Sequence, residues 1–395
     1  MQERKIKNWK KRIRISNHAI IDEDDLWLVS NYINALLNYD INKGNLKKIY
    51  LFPEKFINTY LTVSYVKVGN KLFFAPYNSQ NLWCFHIETE NFEKIDLKLR
   101  NDEKDIQQKF RTIFYYKGEL ILIGFKIPCI LRIDIKTNRV QRHDEYLIGL
   151  KKRGIEKEEV ILGYHYQRIK DSLYLPMLNQ NIIVMFHLTD NRFELFNIEN
   201  LTSKGFDAID YCNKKFRLIS SDGKEVIWKP KDNQKAESKL NLPENDSRNY
   251  WTTMHYKAIT VYFPLFDTKI WIKNNEEKVK SLSFLYPKPE VIPNGSRYEF
   301  IKQNKERIYF QVRTTGDGYY VDLKNMEIHS LNLAIPDDDM CNQILKEIID
   351  SIDEEKISET EVMNIENYIS LFNLNRSQET RRNEKKGKLI YTSLR

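Results

Sequence analysis

The sequence predicts an all-β fold, a seven-bladed β-propeller of four-stranded antiparallel blades with a C-terminal helical extension. Three observations carry that reading. A unit of similar pattern recurs with a period of about 40 to 50 residues, the spacing of propeller blades. Each unit holds four short apolar runs separated by polar turns, which is strand pattern. The strand pattern stops after Ile335-Pro336 and a helical one replaces it.

The clearest copies are KLFFAPYNSQNLWCFHIETENFEKIDL from Lys71 and SLYLPMLNQNIIVMFHLTDNRFELFNI from Ser172, which align without a gap. Copies begin near Asp25, Lys71, Glu119, Asp171, Lys215, Ala258 and Glu306. Within each, two apolar runs flank a turn, and a second turn follows, as in YDINKGNLKKI from Tyr39, IDIKTNRVQR from Ile133 and VDLKNMEIHSL from Val321. Asn, Thr and Asp at its tip tolerate left-handed backbone or close local side-chain turns. Asp222-Gly223 supplies a two-residue hairpin signal in the fifth copy. Pro76, Pro176 and Pro264 each follow an apolar run and end it. A fourth strand precedes each triplet and carries a residue followed by an aromatic: Ser64-Tyr65, Tyr115-Tyr116, His165-Tyr166, Asp210-Tyr211, His255-Tyr256 and Glu299-Phe300. Sandwiches and barrels also give short strands, but not seven similar four-strand units.

Composition sets the frame. The 395 residues are 41% apolar and 12% aromatic, enough for a sizeable core, and 30% charged, so a soluble globular chain is expected. No apolar run approaches the roughly 18 to 20 residues that span a bilayer, and no secretory pattern is present, so the expected location is cytoplasmic. Cys84, Cys129, Cys212 and Cys341 form no C-x-x-C pair and read as buried thiols rather than a zinc or disulfide framework. The net charge of +8 is mild for this length, and nucleic acid is not an expected partner.

The domain organisation that follows is a basic segment over 1–11, the propeller over 12–335 and an α-helical tail over 336–395 that ends in a strand-like stretch, GKLIYTSLR. The basic cluster runs from Arg4 to Arg14 around Trp9 and reads as a solvated terminus or as a contact for phosphates or an acidic partner. In the tail, Ile344, Leu345, Ile348, Ile349 and Ile352 keep helical spacing, and Ser358-Glu359-Thr360-Glu361 is a capping-box start for a second helix. Those helices must bury their apolar stripes on the propeller or on another protein. Ring closure by residues before Arg12 or by GKLIYTSLR stays open.

IDIKTNRV from Ile133, with the hairpin pattern apolar, x, apolar, Asp, apolar, x, Thr, resembles β-propeller repeat proteins broadly. DLWLVSNYINALLNYDI from Asp25, LFPEKF from Leu51 and KLFFAPYNSQNLWCFHI from Lys71 look like uncharacterised propeller-like proteins of low-GC anaerobic bacteria. That resemblance covers most of the chain and implies fold, not activity. The Gly-His and Trp-Asp signatures of WD repeats and the double glycine of kelch repeats are absent.

Innermost propeller strands line a channel, so the repeated dipeptides mark where a site is expected. His165, Asp210, His255 and Glu299 align as equivalent positions, with Tyr115 and Ser64 as further ligand-binding candidates. Imidazole and carboxylate can hold a divalent metal, with His165 and His255 as the candidates, or share acid and base roles; the same residues can equally satisfy buried backbone groups at blade junctions. No cofactor is predicted beyond that possible metal. Tyr65, Tyr116, Tyr166, Tyr211, Tyr256 and Phe300 read as inter-blade packing. No Gly-rich nucleotide loop, H-E-x-x-H or G-x-S-x-G occurs. The reading is a protein-interaction or ligand-recognition module with a protein or glycan partner. Its alternatives are a carbohydrate-active hydrolase or lyase at the channel, and a basic adaptor for nucleic acid or membrane surface.

Overall fold

The computed structural model describes residues 15–333, apart from 31–33, 55–59, 164, 199–204, 213, 221–224, 231–233, 239–249, 258, 265–268, 275–278, 284–297 and 313–316. The side chains of His255 and Glu299 are also outside what it describes. The basic N-terminal segment, the Asp222-Gly223 turn, the two tail helices and GKLIYTSLR lie outside the described residues.

Seven four-stranded antiparallel sheets follow one another along the chain, spanning residues 15–51, 65–95, 110–143, 167–197, 206–238, 250–283 and 298–331. Each sheet is a meander whose strands pair in sequence order. The first strands are Ile15–Asp22, Tyr65–Val68, Phe110–Tyr116, Gln167–Ile169, Phe206–Cys212, Tyr250–Tyr256 and Tyr298–Asn304. First strands of adjoining blades meet, blade 1 with blades 2 and 7 among them, so the first strand of every blade is the innermost. This is a seven-bladed β-propeller.

The second strands explain why the sheets must stack. In blade 1, Leu26 and Leu28 point one way and Trp27 and Val29 the other, and all four are buried. Leu26 and Leu28 join a cluster with Phe300, Tyr309, Leu331 and Leu333 of blade 7. Trp27 and Val29 join one with Tyr65, Leu72, Phe74 and Phe85 of blade 2. An unbroken apolar run on a strand is therefore two alternating faces, each buried by a neighbouring blade.

Among the described residues, closure uses side chains rather than an exchanged strand. Among the described residues every blade is built from four consecutive strands, and the seam between blades 1 and 7 is packed by the cluster just described. The Tyr39 hydroxyl crosses that seam to donate to the Leu333 carbonyl at 2.9 Å. The aromatics of the repeated dipeptides do pack between blades. Tyr65 donates from its hydroxyl to the His18 and Trp27 carbonyls of blade 1, at 2.7 and 3.0 Å. Tyr166 of blade 4 stacks on Phe114 of blade 3 with centroids 5.3 Å apart.

Two turn types recur. Asp40, Asp134 and Asp322 close the third strands of blades 1, 3 and 7, and each accepts from the backbone N–H groups two and three residues on. These are the Asp positions of the second-turn motif, and the side chain stands in for a backbone turn partner. The inner hairpins, between first and second strands, have two-residue loops with left-handed backbone in all seven blades, at Glu23, Gly69, Lys117, Lys170, Lys214, Lys257 and Lys305. Such loops match the natural twist of the paired strands.

Outer connections carry the longer insertions. A helix, α1 (Tyr146–Lys151), lies between blades 3 and 4 and buries Tyr146 and Leu150 in their shared core. Between blades 2 and 3 the short helical turn Asn101–Glu103 buries the Glu103 carboxylate, which takes two hydrogen bonds from the Arg142 guanidinium at 2.7 and 2.9 Å. Among the described residues no helix is long and apolar enough to cross a membrane.

Two stability outcomes follow. Glu103→Ala leaves Arg142 with Asp144 alone, so a loss of about 3 kcal/mol is expected in urea denaturation, at the low end for removing one partner of a buried ion pair. Tyr39→Phe removes the hydrogen bond across the closing seam, and about 1 kcal/mol is expected from the same measurement.

Candidate functional site

The inner-strand candidates fall at different heights along the ring axis. Tyr115 faces Leu120 and His255 faces Thr260, each the second residue of its partner strand. Asp210 faces Arg217, the third, and Tyr65 faces Phe74, the fourth. His165 lies two residues ahead of Gln167, whose partner Tyr174 is already the third. The spread of about three residues is roughly 10 Å at strand rise. The equivalence of His165, Asp210, His255 and Glu299 expected from the dipeptide alignment is therefore corrected by the pairing registers. Inner strands are three to eight residues long, and blades 1, 3, 5, 6 and 7 each carry a register shift in the pairing of the inner strand. An inserted bulge residue breaks the link between spacing and height.

Each candidate has its own local setting. Ser64 is buried, and its hydroxyl oxygen accepts from the Ile113 N–H of blade 3 at 3.2 Å, tying two inner strands together. Asp210 accepts from the Tyr211 N–H at 2.8 Å and sits opposite Arg217. His165 is half-buried at the end of the connection that carries α1. Tyr115 is 41% exposed, beside the inner hairpin of blade 3. His255 and Glu299 lie on the inner strands of blades 6 and 7, and their side chains are outside the described residues.

What the ring does bring together is the set of inner hairpin tips. One face of the propeller is formed by these seven two-residue loops around the axis, and in blades 3 to 7 they carry Lys117, Lys170, Lys214, Lys257 and Lys305, all exposed. The acids among the tips are partly engaged. Asp171 accepts from the Tyr116 hydroxyl of blade 3 at 2.6 Å and from Lys117 at 3.4 Å. Glu306 accepts from the Tyr256 hydroxyl of blade 6 at 3.3 Å. In both places the lysine after the tyrosine lies over its ring, at 5.0 Å for Lys117 and 4.8 Å for Lys257. The two junctions are the same device used twice: a tyrosine ends the inner strand and reaches the acid in the next blade's hairpin.

Further cations lie on or beside the first two strands of the blades. Arg168 stands 5.8 Å from the Phe114 ring, and Arg217 lies 5.8 Å from the Tyr262 ring across blades 5 and 6. Lys67 is paired with Asp22 at 2.5 Å. Lys302 of blade 7 has no carboxylate within ion-pair distance among the described residues, and burial lowers its pKa. Across the closing seam, burial first and the Lys302 charge second drive the pKa of His18 down from 6.5 to about 3, so its imidazole is neutral at neutral pH. Lys109, just ahead of the blade 3 inner strand, is 2% exposed, and burial lowers its pKa although Glu54 and Asp105 partly offset this.

The lysine ring, His18, Lys109 and Lys302 were not among the residues expected from sequence. The lysine ring did have a signal: a lysine follows the aromatic in FYYKGEL and MHYKAIT and recurs in RIKDS and QNKER. In blades 3, 4, 6 and 7 that lysine stands two residues ahead of the second strand, so aligning those units on it rather than on the dipeptide gives their register.

No family model matches the chain. Protein CapE of Staphylococcus aureus is 26% identical over 185 residues, which is 42% of this chain and 42% of that protein, so the match spans less than half of the relative. Among solved structures, a catalytically inactive virginiamycin B lyase from Staphylococcus aureus with quinupristin superimposes with a TM-score of 0.57 at 12% identity, over 77% of this chain and 93% of that one. YCF48 bound to D1 peptide gives a TM-score of 0.55 at 12% identity, over 78% of this chain and 90% of that one. These likenesses are of fold.

The partly buried, neutral His18 has a measurable consequence. Unfolded, it takes up a proton below about pH 6.5; folded, it resists until about pH 3. Stability should fall as pH drops from 6.5 toward 3, because the unfolded state binds the extra proton. Denaturation midpoints measured across that window should fall less steeply in His18→Gln; an unchanged slope would show that the imidazole is free to titrate in the fold.

Proposed function

We propose that this protein is a recognition propeller that takes an acidic segment of a protein partner on the face formed by its inner hairpins. The observation that carries the reading is the ring of exposed lysines at the hairpin tips of blades 3 to 7. Five lysines against four acids at the same tips, Glu23, Asp24, Asp171 and Glu306, leave the rim with a small excess of positive charge, concentrated in blades 3 to 7, which favours a ligand of opposite sign there. Arg168 and Lys302 add cations on the inner strands of blades 4 and 7, and Tyr115 adds an exposed aromatic surface at the rim. Hairpin loops on a rigid ring hold these groups apart at fixed distances, which suits recognition of an extended acidic chain better than of a point anion.

The fold neighbours do not choose between chemistries, since one is a lyase and another is bound to a peptide. The bound peptide supports the proposal only as a precedent for the fold. A cytoplasmic setting and a role for the tail over 336–395 in partner binding belong to the same proposal.

The test uses a fluorescein-labelled poly-glutamate peptide and fluorescence anisotropy with the full chain. Saturable binding is expected at low salt, weakening steeply as ionic strength rises past the point where the Debye length is about 10 Å. The triple variant Lys170→Gln, Lys214→Gln, Lys305→Gln should bind at least about tenfold more weakly, a loss of about 1.4 kcal/mol. Absence of binding at low salt, or equal binding by the triple variant, removes the proposal.

A further inference from the structure

Away from the mouth, blade 2 gathers three metal-ligating side chains that belong to no part of the hairpin face. Cys84 and His86 are two residues apart on the third strand of that blade, Leu82–His86, so strand alternation puts them on one side. Glu93 lies on the fourth strand, Asn91–Ile95, directly opposite Cys84. The thiol sulfur, an imidazole nitrogen and a carboxylate oxygen all lie within 4.8 Å of one another. His86 Nε2 is already 3.0 Å from the Glu93 carboxylate. Their side of the sheet faces blade 3, where Cys84 and Phe73 pack with Leu120, Leu122 and Leu131.

Blade 4 provides an internal comparison. Its gapless copy repeats the pair, with His187 Nε2 3.1 Å from Glu194. There Met185 takes the place of Cys84, and Ser172 meets the other imidazole nitrogen at 3.2 Å. A histidine–glutamate pair across two strands is thus what the hairpin makes twice, and the thiol is what blade 2 adds. A thioether, by contrast, is a weak ligand for zinc-class ions.

We propose that Cys84 Sγ, an imidazole nitrogen of His86 and a carboxylate oxygen of Glu93 form a binding site for one divalent metal of the zinc class, with its fourth position open to water. Sulfur, nitrogen and oxygen ligands at about 2.3, 2.0 and 2.0 Å from such an ion sit at mutual distances these side chains reach by small rotations. Half-exposed His86 and exposed Glu93 leave a way in, while Cys84 closes the inner side. Binding replaces the S–H bond of Cys84 by a metal–sulfur bond and releases its proton to solvent. The thiolate is the ligand form, so metal and proton compete for Cys84 and uptake should strengthen with rising pH.

The test is titration of the chelator-treated full chain with Co²⁺ at pH 8, followed by displacement with Zn²⁺. Expected are one Co²⁺ per chain, a near-ultraviolet thiolate-to-cobalt charge-transfer band, and about one proton released per ion. Cys84→Ser should abolish the band. Glu93→Gln, at an exposed position where folding is not at stake, should keep the band and weaken binding by at least about tenfold. His187→Ala should change neither. A missing band in the wild-type chain, a band that survives Cys84→Ser, or wild-type affinity in Glu93→Gln overturns the assignment.

Discussion

Every other feature of this molecule depends on one constraint, that its sheets are apolar on both sides. A second strand such as Asp25–Ser30 buries alternate residues in opposite directions, and neither set can remain in water. Burial of a large aliphatic or aromatic side chain is worth about 1.5 to 3 kcal/mol, so leaving even one blade face open would cost as much as a typical domain's whole stability margin of about 5 to 15 kcal/mol. A row of such sheets would always have two bare ends. Bending the row into a ring removes both, and the cluster joining Leu26, Leu28 and Leu37 to Phe300, Tyr309 and Leu333 is where the last face meets the first.

With the sides of the blades consumed by packing, polar chemistry is left to their edges. The inner hairpins turn seven times around one axis, and whatever residue occupies the left-handed position is displayed there. Lysine at five of those tips creates a charged rim without disturbing the core. The same logic explains the repeated tyrosine-to-acid contacts, Tyr116 to Asp171 and Tyr256 to Glu306. They lie at the boundary between packed side and exposed edge, where a ring can be buried and its hydroxyl can still reach a neighbour. Outward, the third strands of blades 1, 3 and 7 end in a capping aspartate and those of blades 2 and 4 in a histidine, and among the described residues it is blade 2 that gathers a thiol, an imidazole and a carboxylate.

Much of this was legible beforehand. Alternating apolar runs with Asx-type turns define strands whatever their surroundings, and seven copies of one unit leave little besides a ring. The candidate site was less legible. The dipeptides from Ser64-Tyr65 to Glu299-Phe300 look equivalent along the chain, but inner strands of unequal length, most with an irregular register, place them about three residues apart in height. The serine of the first pair proved to be a tie to the Ile113 N–H rather than part of a cluster.

The sequence by itself determined the repeat, the strand pattern and hence the ring, because periodicity and turn chemistry are local properties. It also contained the lysines at five of the seven inner hairpin tips and the Cys-x-His spacing of blade 2, without saying which residues they would meet. Only the tertiary structure decided that, because register sets which residues stand opposite one another and ring closure sets which blades are neighbours. The desolvation of His18 beside Lys302 joins residues from the two ends of the propeller, and no local pattern encodes such a contact.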